Sequence, residues 1–237
     1  MYTIDFNQLD KKIENGYNFN FGSYLSKGFD LFKKDIGGFI LAFIGLIIMS
    51  MIPLCQYIGL GNFYKVCEKI DKGEKTSFSD MFNFDKAGTY IILYLIILGC
   101  ILLCFLPFIF VLFLQMPKME NDPSQVLPIS FFLAYAVTIL GILLFSVAIF
   151  FTLPIIAYSN ETSIGKIISY SWNLAKKNFL MIILFIFIAG LIGSLGVILC
   201  YIGLIATMPI VYCIYYECYK DILFINDDNE INQISGI

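Results

Sequence analysis

Four long stretches without a charged side chain constrain this sequence more than any other feature. They cover residues 36–64, 87–117, 123–160 and 178–216. A water-soluble domain cannot carry such stretches, because a surface in water needs charged side chains every few positions. Lipid has the opposite requirement, since ionised groups are costly in the hydrocarbon region and backbone polar groups must be satisfied within helices. We therefore predict an all-α integral membrane protein.

The rest of the composition excludes several kinds of chemistry. Hydrophobic residues make up 59% of the chain, against about 45–50% in a typical soluble domain. All 15 basic residues are lysines and there is no histidine, which excludes a haem imidazole, a His-containing zinc site and a Ser–His or Cys–His nucleophile. The net charge of −3 argues against nucleic acid as a partner. We interpret the 7 cysteines as small buried hydrophobic residues and expect no metal, cofactor or catalytic residue.

The lysines predict which segments face the cytoplasm. Lysines cluster before the first apolar stretch, between the first and second, and between the third and fourth, whereas only Lys118 separates the second from the third. Because lysine-rich segments stay in the cytoplasm, we place the 115–127 loop outside and both termini inside. The Ile-, Lys- and Asn-rich, arginine-free composition favours a bacterial source, and hence the bacterial inner membrane.

Lysine placement and stretch length together predict six transmembrane helices. Stretch 36–64 must return to the side on which it began, so we expect a hairpin that turns near Pro53. As one helix it would be about 43 Å long, against a hydrocarbon core of about 30 Å. Stretch 178–216 is expected to form two helices interrupted at 193–196, and the other two stretches one helix each. Five or four spans remain if a short segment is re-entrant, and 36–64 is open to either reading.

Two segments of the chain resemble each other, which predicts an internal repeat. Residues 28–35 match 171–178 at an offset of 143, and 57–60 match 201–204 at an offset of 144. Both copies begin on the same side of the membrane, so the repeat is expected to be parallel. Chance similarity between apolar segments is the alternative.

These patterns predict one polytopic membrane domain, 23–222, between two polar tails at 1–22 and 223–237. The domain divides into repeat A (23–70), a cytoplasmic connector (71–86), a central helix pair (87–158) and repeat B (161–222).

Each copy of the repeat begins with a predicted amphipathic helix with basic residues at one end. Such a helix either binds lipid at the headgroup level or acts as an elbow that orients the next span. The candidate residues facing lipid or a partner are Phe29, Phe32, Lys33, Lys34, Trp172, Lys176 and Lys177.

The connector contains a capping-box pattern, in which Ser77 precedes Asp80 by three residues. This spacing predicts the start of a short helix that docks on the cytoplasmic ends of the bundle.

Glu68 and Glu217 form a candidate acidic pair at equivalent helix ends, with Asp71 and Asp221 nearby. Carboxylates in this arrangement can hold a divalent cation or transfer a proton. The alternative is that they pair with neighbouring lysines at the lipid–water boundary.

Three segments carry a resemblance to known families: the Leu-Phe-Lys-Lys helix end at 31–34, the Gly-Glu-Lys-Thr-Ser-Phe-Ser-Asp-Met-Phe run at 73–82, and Ser-Trp-Asn-Leu-Ala-Lys-Lys-Asn-Phe at 171–179. With the 202–209 run, they resemble uncharacterised bacterial multi-pass membrane families related to the membrane domain fused to some glycerophosphodiester phosphodiesterases. The resemblance spans most of 23–222 and implies a shared architecture. The histidine-dependent phosphodiesterase domain has no counterpart, so no catalytic residue is carried over.

The sequence thus favours a non-enzymatic accessory or scaffold protein that engages lipid, a membrane protein or a second copy of itself. A small-molecule or lipid transporter is the first alternative, and an intramembrane enzyme using acids at the cytoplasmic face is the second.

Overall fold

The protein is described here by a computed structural model that covers residues 2–121, 129–198 and 203–224, with side chains through Leu114 in the first range. The described part is helical and contains no strand. Its α-helices are α1 (Phe6–Asn15), α2 (Phe21–Lys34), α3 (Ile36–Met51), α4 (Gln56–Asp71), α5 (Ala87–Asn121), α6 (Ile129–Ala148), α7 (Thr152–Tyr158), α8 (Ile164–Ala175), α9 (Phe179–Ile198) and α10 (Leu204–Leu223). Short 3-10 helices occupy Phe78–Phe82 and Lys176–Asn178.

Three helical stretches are long and apolar enough to cross a membrane, namely Ala87–Leu114, Ile129–Tyr158 and Ile164–Ile198. A fourth candidate arises if the bent pair α2 and α3 counts as one broken span. The chain is therefore a helical protein with three to four candidate spans in its described part. Helices α3 and α4 have only 16 residues each, or about 24 Å, which is shorter than the hydrocarbon core of about 30 Å.

The hairpin predicted near Pro53 is present between α3 and α4, which pack against each other. Proline cannot donate a backbone hydrogen bond, and Leu54 beside it takes the left-handed backbone conformation with φ of 71°; both features stop a helix. The interruption predicted at 193–196 is wrong, because α9 continues to Ile198. A Cβ on Gly196 would lie 2.4 Å from Thr207 Oγ1, so glycine there permits close packing of α9 on α10.

Helices α4 and α10 lie at the centre of the bundle, where α2, α3 and α9 pack around them. Their buried aromatic side chains include Phe63, Tyr216 and Tyr219. Helices α5, α6 and α9 instead expose large apolar side chains, such as Phe110, Leu133 and Leu180. A surface of this extent is typical of contact with lipid rather than water.

The two copies of the proposed repeat differ at the joint after their first helix. The α2–α3 joint bends by 97°. The described residues contain no other sharply bent helix pair that is long and apolar enough to cross a membrane. In the second copy, α8 and α9 are joined by the 3-10 turn Lys176–Asn178 and belong to one apolar candidate span. The repeat stays a prediction.

The segment predicted as a polar N-terminal tail contains α1, which is docked on the bundle. Leu9 is buried, and Lys12 Nζ donates to the carbonyl oxygens of Asp221 and Ile222 at 3.2 and 2.7 Å. At the other end, Phe224 is buried and stacks on Tyr2 with ring centroids 4.7 Å apart. Residues 225–237, which make up most of the predicted C-terminal tail, lie outside the described residues, as do 122–127 of the predicted outer loop. Residues 115–121 of that predicted loop instead continue α5.

The connector forms the predicted capped helix. The Ser77 hydroxyl and the Asp80 carboxylate make the two reciprocal bonds of a capping box at the start of the 3-10 helix. Met81 is buried against α3, and the Asn62 amide donates to the carbonyl oxygens of Met81 and Asn83 at 2.9 and 2.8 Å. The prediction that this helix docks on the bundle is confirmed.

Candidate functional site

A charged pocket of about 290 Å³ lies where α2, α4 and the end of α10 meet. Two of the three helices, α2 and α10, supply several charges at helical spacing, and α4 supplies Asp71. Positions 27, 30, 31 and 34 lie along one stripe of α2, and 217, 220 and 221 along one stripe of α10. The lining residues are Tyr24, Lys27, Asp30, Leu31, Lys34, Asp71, Glu217, Lys220 and Asp221.

Asp71, at the end of α4, binds two lysines from two other helices. Its carboxylate accepts a hydrogen bond from Lys34 at 2.9 Å and a second from Lys220. Burial by itself raises the pKa of Asp71, but the two lysines outweigh burial and lower the pKa below its usual value. For Lys220, burial lowers the pKa, and the carboxylates of Asp71 and Glu217 reverse this and raise it. Asp71 therefore ties α2, α4 and α10 together in its ionised form.

Two more acids of the pocket also have partners. Asp221 accepts a hydrogen bond from the Tyr24 hydroxyl at 2.6 Å. Asp30 pairs with Lys33 at 3.2 Å, one turn along α2. Each of these carboxylates thus has a direct hydrogen-bond or ion-pair partner within the protein.

Glu217 differs from these acids because its side chain is only 6% exposed and, within the described residues, makes no hydrogen bond or ion pair. Burial raises its pKa; Lys220, Lys27 and Lys34 oppose the rise, whereas Asp71 adds to it. Lys27 likewise makes no hydrogen bond or ion pair to a described residue. The pocket therefore holds one carboxylate and one ammonium whose charges are not compensated by direct contact.

The predicted acidic pair is separated in the structure. Glu68 is 4% exposed, pairs with Lys72 at 2.7 Å and accepts a hydrogen bond from the backbone N–H of Tyr2. It lines a different pocket, between α4 and the connector, together with Lys65 and Asp80. Glu68 therefore pairs with a lysine, whereas Glu217 makes no such pair with a described residue.

Six of the seven residues predicted to face lipid or a partner are exposed. Phe29 and Trp172 are 37% and 41% exposed, and Lys33, Lys34, Lys176 and Lys177 are exposed as well. Lys34 also lines the charged pocket. Phe32 was expected on the outer face, and this is wrong: it is 8% exposed and packs against Phe39 with ring centroids 5.9 Å apart. The buried face of α2 is rotated towards α10, where Gly28 lets Ile214 approach.

The sequence analysis missed the pocket, although a signal was present. The charged residues Lys27, Asp30 and Lys34 of α2 recur at i, i+3 and i+7, which places them on one face of a helix, yet we did not interpret that face as part of a pocket. Within the ranges that the structure describes, no group of three or more His, Cys, Asp or Glu residues is placed to hold a metal ion.

No protein-family model matches the chain, and no significant match was found among curated proteins or solved structures.

Proposed function

We propose that this chain is a non-enzymatic integral membrane protein that engages lipid through its exposed aromatic and lysine residues. The observation that carries the proposal is the exposure of Trp172 on α8, a helix that buries Ile167 and Leu174 on its other face, with Lys176 and Lys177 one turn further on. Tryptophan at an interface is favoured because its ring is apolar and its N–H is polar, and nearby lysines favour anionic lipid. A membrane protein partner would use the same face.

The finer architecture belongs to the same proposal. It has six spans, both termini in the cytoplasm of a bacterial inner membrane, and a parallel repeat whose first helices act as elbows. The 97° bend after α2 and the helical hairpin of α3 and α4 support it. The resemblance to the membrane domain fused to some glycerophosphodiester phosphodiesterases is a proposal about this architecture only.

The test uses the natural fluorescence of the chain, because Trp172 is its single tryptophan. The protein is reconstituted into vesicles that contain phospholipids brominated along the acyl chain, which quench an indole ring in contact with lipid. We expect strong quenching by these lipids and weak quenching by acrylamide in the water phase. The reverse order would overturn the proposal, since Trp172 would then face water. The double variant Lys176→Gln/Lys177→Gln should keep the quenching but lose any preference for anionic vesicles.

The charged pocket favours a second candidate function, a small-molecule or lipid transporter. Uncompensated charge in a pocket between packed helices is a feature that binding sites use. Flux of a labelled lipid or solute across vesicles containing the purified protein would support this candidate. The enzyme hypothesis lacks a comparable observation, because Glu68 and Glu217 line different pockets.

A further inference from the structure

The charged pocket contains an unmatched pair of opposite charges. Five of its charged residues are held by partners in the protein: Asp71 by Lys34 and Lys220, Asp221 by Tyr24, and Asp30 by Lys33. The remaining two are Glu217 and Lys27, and in the described part of the chain neither makes a direct polar contact. One carboxylate and one ammonium are thus left to face the same space.

Glu217 and Lys27 lie close enough to influence each other, but they do not touch. The positive charge of Lys27 lowers the pKa of Glu217, although no ion pair within 4.0 Å joins them. An isolated buried carboxylate is unfavourable unless a cation or several donors reach it. The carboxylate belongs to α10 and the ammonium to α2, so the two charges come from different helices that line one pocket.

We infer that this pocket binds a zwitterion with a primary ammonium and a phosphate, as in a phosphoethanolamine headgroup. The ammonium group of the ligand lies at Glu217, where its three N–H groups can donate hydrogen bonds to the carboxylate. The phosphate lies at Lys27, and Lys34 and Lys220 add positive charge to the pocket lining. Lysine binds phosphate as a point charge, so it needs no fixed fork of donors.

This inference rests on the proposed function, in which α2 lies at the lipid headgroup level. Leu31 lines the pocket, whereas Phe29 on the same helix is exposed. A headgroup can therefore enter the pocket while its acyl chains remain in the membrane. The same chemistry is also available from free phosphoethanolamine, and the experiment separates the two sources.

The experiment measures which headgroup the full-length protein retains. The chain is reconstituted into nanodiscs of phosphatidylglycerol mixed with either phosphatidylethanolamine or phosphatidylcholine, and bound lipid is quantified by native mass spectrometry. Choline has the same charge but no N–H donor, so it tests the contact with Glu217 alone. We expect phosphatidylethanolamine to be retained about tenfold more than phosphatidylcholine, which corresponds to the loss of one charge-assisted hydrogen-bonded contact.

Two variants assign the two ends of the ligand. Glu217→Gln, which keeps the side-chain shape, should abolish the preference for ethanolamine over choline while leaving retention of phosphatidylglycerol unchanged. Lys27→Gln should weaken retention of all three lipids. The matched controls are Glu14→Gln and Lys11→Gln, which remove exposed charges outside the pocket and should change nothing. Thermal unfolding of each lipid-free variant checks that it is folded.

Each outcome decides the question. If free phosphoethanolamine raises the melting temperature in a Glu217-dependent manner but the lipid is not retained, the zwitterion site stands and its source is soluble. If wild-type protein retains the two lipids equally and free phosphoethanolamine has no effect, the inference is overturned without any variant. If the Glu217→Gln variant still retains phosphatidylethanolamine over phosphatidylcholine, the inference is overturned as well. Quenching of Trp172 by brominated lipid is measured separately, so failure of the lipid-facing proposal is distinguishable from failure of this site.

Discussion

The carboxylate of Asp71 accepts a hydrogen bond from Lys34 Nζ at 2.9 Å and so joins the end of α4 to the end of α2. Lys220 of α10 donates to the other carboxylate oxygen. Asp71→Asn removes the negative charge that holds both lysines, and we expect it to destabilise the protein by about 1–2 kcal/mol, because bonds to charged groups are worth more than neutral ones but Lys34 is half exposed. The change is measured by thermal or denaturant unfolding in detergent.

The control for Asp71 is the exposed pair of Lys33 and Asp30. Both side chains are about two-thirds exposed, so Asp30→Asn should alter stability by less than about 0.5 kcal/mol. Equal effects of the two substitutions would contradict the structural role given to Asp71.

Glu217 should make the ligand-free protein less stable as the pH rises. Its pKa is raised in the folded state by burial, so the folded protein holds this proton more tightly than the unfolded chain does. From the unfolded value of about 4.3 up to the raised folded value, stability falls with increasing pH. Glu217→Gln should therefore be more stable than wild type at neutral pH and should lose this part of the pH dependence.

The measurement is the difference in melting temperature between wild type and Glu217→Gln across that pH range. The groups that face Glu217 are Lys220 and Asp221 on its own helix, Asp71 on α4, and Lys27, Asp30 and Lys34 on α2. They are the same in both proteins, so their own titration largely cancels. A difference in melting temperature that stays constant across this pH range would contradict the raised pKa of Glu217.

Gly28 should tolerate no side chain, because α2 and α10 approach each other there. A Cβ on Gly28 would lie 2.6 Å from the Cα of Ile214, and a backbone atom cannot move aside as a flexible side chain can. We expect Gly28→Ala to cost about 1–3 kcal/mol through overpacking. Gly22→Ala on the same helix meets no atom within 4 Å and should be neutral or stabilising by up to about 1 kcal/mol. Similar losses from both substitutions would contradict this packing.

Lys86 should contribute to stability by capping the end of α7. Its Nζ donates to the carbonyl oxygens of Ile156, at 3.0 Å, and Ser159; carbonyl groups at a helix C-terminus otherwise lack donors. Lys86→Met keeps the apolar part of the side chain but removes the donors, so we expect a loss of about 1–2 kcal/mol. Lys75→Met, at an exposed connector position, is the control and should have little effect on the melting temperature.

Several parts of the fold could be predicted because they depend on neighbouring residues in the chain. The charge-free stretches predict helices in lipid, the Pro53 turn predicts the α3–α4 hairpin, and the Ser77–Asp80 spacing predicts the capped connector helix. The error at 193–196 has a local cause too. Glycine both breaks helices and allows them to pack closely, and the choice depends on whether a neighbour such as Thr207 is present.

The sequence alone therefore determined that the chain is helical and contains segments apolar enough to cross a membrane, because the requirement that lipid imposes is met within each segment and is visible in its local composition. Only the tertiary structure decided how α2 is rotated, that Phe32 is buried, and that Glu68 and Glu217 lie in separate pockets. These facts depend on which helices approach each other. Lys220 and Asp71 are 149 positions apart. No local pattern specifies that Asp71 pairs with two lysines while Glu217 pairs with no described lysine.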